Sequence, residues 1–91
     1  MLFVATLKGI QGTGKERMER RLKWQYPEGV KPIAEYWLQG DDPTVIGVFE
    51  ADSVAPIFLI RAVWGDVFDV TVVPAVTAEE GLQLAQKLGG S

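Results

Sequence analysis

Residues Gly9-Ile10-Gln11-Gly12-Thr13-Gly14-Lys15-Glu16 have the first spacing in the chain that suggests chemistry. A phosphate-binding loop reads G-x-x-x-x-G-K-[ST]: backbone amides cradle the phosphates and the last hydroxyl sits on magnesium. Gly9, Gly14 and Lys15 are in register with that pattern, but Glu16 replaces the hydroxyl and would bring a carboxylate against the phosphates. A plainer reading accounts for every residue. Gly9 and Gly12 shape a turn, Thr13 caps a helix, and Glu16 completes a T-x-x-E capping box. Nucleotide binding is therefore set aside. The amides of such a helix start retain the capacity to hold a small anion.

Acids and aromatics supply the other candidates. Glu35, Glu50 and Asp69 fall on one inferred sheet face, on three strands. Buried there, their pKa values would rise and one could act as a base; at the rim they stay solvated or pair with Lys31 or Arg61. Tyr26, Tyr36, Trp37, Phe58 and Trp64 either form core or line an apolar pocket between helices and sheet. With a pocket, Arg61 and Trp64 would position a ligand and Glu50 would be the base. The candidate pocket set is therefore Tyr36, Trp37, Glu50, Phe58, Arg61 and Trp64. Asp41-Asp42 before Pro43 reads as turn chemistry rather than a metal site.

Composition limits the chemistry further. Histidine and cysteine are both absent, which removes thiol nucleophiles, histidine acid–base catalysis and the usual zinc ligands; no metal or cofactor is expected. The 91 residues carry a net charge of −3, against the concentrated positive surface that nucleic-acid binding needs. Lys15, Arg17, Arg20, Arg21 and Lys23 interleave with Glu16 and Glu19 and read as a solvated helix face, with an anion patch as the lesser alternative. No run approaches the ~20 apolar residues of a membrane span, and no secretory leader is evident. A cytoplasmic location is the expectation, and the lack of cysteine fits a reducing compartment.

The elements that must position these residues follow from periodicity and punctuation. Residues 2–8 read as a strand broken by Gly9, and a helix runs from Thr13 to about Gln25 with Met18 and Leu22 on its inner stripe. Strands are expected at Lys31–Gln39 and Thr44–Ala51, joined by the turn Gly40-Asp41-Asp42-Pro43. A nearly all-apolar helix spans Val54–Trp64, capped by Asp52 or Ser53 with Pro56 in its first turn. A fourth strand covers Val67–Val73, with Pro74 closing it or marking it as an edge. A second capping box at Thr77–Glu80 opens a terminal helix that Gly89 ends. The order β-α-β-β-α-β plus a helix is the ferredoxin-like α+β pattern: one domain over 1–91 with a four-stranded antiparallel sheet.

Alternate residues divide the strands into two faces. Ala34, Tyr36, Leu38, Val45, Gly47, Phe49, Phe68, Val70 and Val72 suit the side under the helices. The other side carries Ile33, Glu35, Trp37, Ile46, Val48, Glu50, Val67, Asp69, Thr71 and Val73, whose Trp and branched aliphatics make it too apolar to face water comfortably. Pairing with the same face of a second copy would cover it.

The start Met1-Leu2-Phe3-Val4, the segment Glu28-Gly29-Val30-Lys31, the run Val48-Phe49-Glu50-Ala51-Asp52 and the ending Val70-Thr71-Val72-Val73-Pro74-Ala75-Val76 resemble short proteins of the dimeric α+β barrel superfamily, in a family described as a domain of unknown function. The resemblance implies a homodimer whose sheets face each other, and brings no activity. Other members of the superfamily are cofactor-independent monooxygenases or haem-degrading enzymes; their catalytic residues have no matching motif here, and the haem-ligating histidine cannot be present. The expectation is a homodimeric ligand-binding or protein-interaction module with no assigned reaction. The alternative is a cofactor-independent, monooxygenase-like enzyme acting on an apolar small molecule in a helix–sheet pocket. RNA binding on the sheet is disfavoured by charge and by the lack of an RNP1 pattern.

Overall fold

A computed structural model describes residues 1–89. Strand β1 (Leu2–Gly9) leads to helix α1 (Gly14–Lys23), then β2 (Val30–Trp37), β3 (Val45–Ala51), α2 (Ala55–Trp64), β4 (Phe68–Ala75) and α3 (Ala78–Gly89). The sheet order is β2-β3-β1-β4, antiparallel throughout, which makes the fold ferredoxin-like. β4 is an edge strand, which is where Pro74 can sit without removing a needed ladder donor. Gly12 and Gly29 take positive φ, 86° and 91°, and provide the two turns that side-chain-bearing residues adopt poorly. Among the described residues, no helix is long and apolar enough to cross a membrane.

The core lies between the sheet and α2. Phe3, Ala5 and Leu7 alternate along β1, facing Phe49 and Ala51 on β3 and Phe68 on β4. From α2, Ile57, Ile60 and Trp64 close over them. Each large apolar side chain buried in this way contributes roughly 1.5–3 kcal/mol.

Helix α1 is held differently, because it buries no residue of its own. Leu22, expected on the inner stripe, is 86% exposed. The side turned to the sheet is instead Gly14, Arg17, Met18 and Arg21, the i, i+3, i+4, i+7 spacing of one helix face. Arg17 lies over Phe68, Arg20 over Trp64, and Arg21 over Trp24 and Tyr26, each 5.1–5.7 Å from a ring centre. Part of the run expected to be a solvated face is thus a set of guanidinium groups laid on aromatic rings, whose faces attract cations.

Two helix starts also differ from expectation. The Thr13 hydroxyl donates back to the Ile10 carbonyl at 2.6 Å rather than capping α1, and Glu16 pairs with Arg20 at 2.6 Å. Helix α2 is preceded by Val54 with no side-chain cap, although Pro56 does occupy its first turn. At α3 the expected cap is present: the Glu80 amide donates to the Thr77 hydroxyl at 3.0 Å.

One register feature matters most for the site. Val30 and Pro32 lie opposite Ala51 and Phe49, but the next pair is Ala34 with Val48, so Ile33 is an extra residue in a β-bulge. A single inserted residue inverts the faces of everything beyond it. Glu35 and Trp37 therefore stand opposite Gly47 and Val45 on the helix side, while Ala34 and Tyr36 join Val48 and Ile46 on the open side. This reverses the β2 face assignment expected from simple alternation.

Candidate functional site

The sequence places its smallest residues where the sheet is most central. One cross-strand row on the helix side runs Glu35–Gly47–Ala5–Val72. A hydrogen and a methyl group stand where neighbouring rows carry Phe49 and Phe3, or Val45 and Leu7. A Cβ added at Gly47 would meet only the Ala5 methyl, at 4.0 Å. The space left under α1 is a cavity of about 300 Å³ that opens to solvent.

Its walls are aromatic. Tyr26, Trp24, Trp64 and Phe68 form a chain of ring contacts with successive centroid separations of 4.7, 5.6 and 5.6 Å, geometry within the favourable range for tilted and edge-to-face pairs. Trp37 joins the lining from β2, so all three tryptophans of the chain line the cavity.

Charged groups enter at two points. The first is Glu35, which accepts hydrogen bonds from Arg21 Nε and Nη2 (both 3.1 Å), the Tyr26 hydroxyl (2.5 Å) and Trp37 Nε1 (2.7 Å). Burial pushes the Glu35 pKa up, but bonds from Arg21, Tyr26 and Trp37 outweigh it and hold the carboxylate below its ordinary range. Burial, then the bond to Glu35, moves the Tyr26 phenol upward. The bond to Glu35 also raises the Arg21 pKa. At neutral pH this wall is an ionised carboxylate with a guanidinium and two neutral donors around it. The second is Arg17, whose Nε donates to the Thr13 hydroxyl at 3.0 Å.

Arg20 works outside the cavity. It bonds Asp66 (2.7 and 3.0 Å), Glu16 (2.6 Å) and the Val63 carbonyl (2.6 Å), clamping α1 to the end of α2. Those bonds raise its pKa, and Arg20 in turn lowers that of Asp66.

Of the residues singled out from sequence, Trp37 and Trp64 line the cavity, and so does Tyr26. Tyr36 and Glu50 lie on the opposite sheet face, where Glu50 stands across from Lys31. Phe58 is 71% exposed on the outer side of α2, and Arg61 donates to the Val70 carbonyl at 3.1 Å. The three acids do not share a face either: Asp69 pairs in register with Lys8 on the open side, whereas Glu35 has turned inward. Missing from the candidate pocket set are Arg17, Arg21 and the floor residues Ala5 and Gly47, whereas Glu35, singled out as one of the three acids, lines the cavity. The signals that point to them are the Pro32-Ile33 step before an alternating strand, a glycine inside a strand, and arginines at helical spacing.

Several amides of the nucleotide-loop string are already bonded within the protein. The Gly9 amide donates to the Thr44 hydroxyl (3.1 Å), the Ile10 amide to Val67 (2.9 Å) and the Thr13 amide to Ile10 (3.3 Å). Lys15 points to solvent beside Glu19.

No curated protein and no solved structure matches the chain. A family model described as "Domain of unknown function (DUF3303)" matches residues 1–89, and the chain belongs to that family.

Proposed function

We propose that this chain is a ligand-binding module that takes a small apolar molecule into the cavity between α1 and the sheet, and that it acts as a homodimer. The observation that carries the first part is the aromatic-walled cavity of about 300 Å³, kept open by Gly47 and Ala5 and bordered by a fixed polar wall. Concave apolar sites with a few oriented polar groups are the usual form of small-molecule sites. A screen of apolar metabolites by thermal shift tests it. A ligand at a hundred times its Kd stabilises by about 2.7 kcal/mol, which for a domain of this size raises Tm by on the order of 10 °C. The Gly47→Leu variant, with the cavity filled, should show no such shift.

A second reading, a cofactor-independent enzyme in the same cavity, is favoured by the inward position of Glu35 beside Tyr26. The lowered Glu35 pKa supports binding over catalysis, because a carboxylate held in its ionised form by three side chains is a weak base.

The homodimer rests on the open sheet face. Its middle rows are Ala34–Val48–Val4–Val73 and Tyr36–Ile46–Thr6–Thr71, with Lys31 opposite Glu50 at one end and Lys8 opposite Asp69 at the other. An apolar band framed by rows of opposite charges is self-complementary under a two-fold axis. The protomer's shape supports the same partner. Its radius of gyration is 15.3 Å and its long axis 53 Å, against about 12 Å for a compact chain of this length. Helix α3 buries no residue, and Leu82 and Leu84 on it are exposed. The cytoplasmic location proposed with this reading rests on the cysteine-free composition alone.

A further inference from the structure

Arg17 is the arginine of α1 whose guanidinium is without a counter-charge among the described residues. It borders the cavity, its centre is 5.1 Å from the Phe68 ring centroid, and it lies so close across Gly9 that a Cβ there would come within 2.3 Å of Nη1. Its Nε is bonded to the Thr13 hydroxyl. Among the described residues, its two terminal nitrogens have no protein acceptor and the group has no carboxylate partner. The other two arginines of α1 differ, since Arg20 is neutralised by Asp66 and Glu16, and Arg21 by Glu35. A half-buried guanidinium beside apolar walls is stabilised by an anion that presents two acceptors in one plane.

Resting on the pocket reading above, we propose that the ligand is an aromatic monocarboxylate whose carboxylate pairs with Arg17 and whose flat body stacks among Trp24, Trp37 and Trp64. Charge balance favours one negative charge. Arg21 and Glu35 already neutralise each other, which leaves the single charge of Arg17, and Glu35 in the same cavity repels a dianion such as a phosphate monoester. The carboxylate is also the planar partner that matches a guanidinium edge with two parallel hydrogen bonds.

The test compares three probes of one shape, 2-naphthoate, neutral 2-naphthamide and 2-naphthyl phosphate, by quenching of tryptophan fluorescence on the intact wild-type protein at pH 7. A charge-assisted pair of bonds predicts that naphthoate binds about ten- to a hundred-fold more tightly than the amide, and more tightly than the phosphate. In Arg17→Gln the naphthoate advantage should fall to about one, and Arg17→Lys should keep part of it, as expected for a point charge without the planar fork. Far-UV circular dichroism checks that the variants remain folded, and the wild-type comparison needs no variant at all. Equal affinity for naphthoate and naphthamide, or a preference unchanged in Arg17→Gln, overturns the assignment to Arg17 and leaves the pocket reading standing. Tighter binding of the phosphate overturns the monoanion argument. Failure of all three probes at millimolar concentration, with the metabolite screen still finding a stabilising apolar ligand, overturns this inference alone; failure of the probes and the screen together overturns the pocket reading as well.

Discussion

Arg21 on α1 and Glu35 on β2 meet edge to edge, Nε to Oε2 and Nη2 to Oε1, both at 3.1 Å. This two-pronged pair joins a helix that buries no side chain to an edge strand, and both residues line the cavity. Such pairs carry geometric specificity as well as energy. The helix is therefore positioned by charge and by arginine–aromatic contact, which leaves the space beneath it unfilled.

Replacing Glu35 by Gln should lower stability by about 1–2 kcal/mol, because Arg21 loses its counter-charge while a neutral acceptor remains. The pH dependence has a definite sign. The folded-state pKa of Glu35 lies below its ordinary value of 4.5, so its contribution is fully present above that value and is lost as pH falls through the lower folded-state value. Denaturant unfolding of wild type and Glu35→Gln between pH 7 and pH 2.5 checks this: the difference between them should be constant above about pH 5 and shrink below it.

Gly47 should accept a larger residue with little penalty. Its Cβ position is free but for the Ala5 methyl, and a β-branched residue suits a strand better than glycine, by up to roughly 1 kcal/mol. Gly47→Val is expected to raise Tm by a few degrees while weakening ligand binding at least tenfold. Stability and binding moving in opposite directions in one variant is the signature of a filled pocket, read by thermal melts and fluorescence titration.

Gly9→Ala should act on Arg17 rather than on the strand. The new methyl would collide with the guanidinium, whose flexible side chain can swing away. We expect Tm to change by only a few degrees and the preference for naphthoate over naphthamide to fall several-fold. The pair of titrations that measures Arg17→Gln measures this too.

Val48→Lys places a charge in the middle of the apolar row Ala34–Val48–Val4–Val73. Light scattering at micromolar concentration should report twice the chain mass for wild type and the single-chain mass for the variant. A monomeric wild type would defeat the sheet-to-sheet dimer and leave the cavity account untouched.

The order of elements was legible because strands, turns and apolar helix residues each have a local sequence signature. Pro56 in a first turn, Pro74 on an edge strand and Thr77 at a cap were readable for the same reason. What escaped depended on position in three dimensions. The bulge at Ile33 is marked locally by the Pro32-Ile33 step alone, yet it carries Glu35 and Trp37 into the cavity and turns Tyr36 out. Arginines on α1 read as solvated because their charge hides the apolar stems and flat guanidinium planes that pack on Phe68, Trp64 and Trp24. The Thr13–Glu16 box failed because the Thr13 hydroxyl turns to the Ile10 carbonyl and Arg20 claims Glu16. The glycines of the apparent phosphate loop have other uses: Gly12 makes a turn, and Gly9 makes room for Arg17.

Entry of a small aromatic molecule into the cavity under α1 is read out by nitrogen-15 NMR during titration with 2-naphthoate. The chain has three tryptophans, Trp24, Trp37 and Trp64, and each lines that space. Saturable shifts of all three indole N–H signals and of the Gly47 amide are expected, with the open-face side-chain methyls of Val48 and Val73 unmoved in a carbon-13 spectrum of the same titration. Shifts confined to the open face, or no shift at millimolar naphthoate, would contradict entry into the cavity.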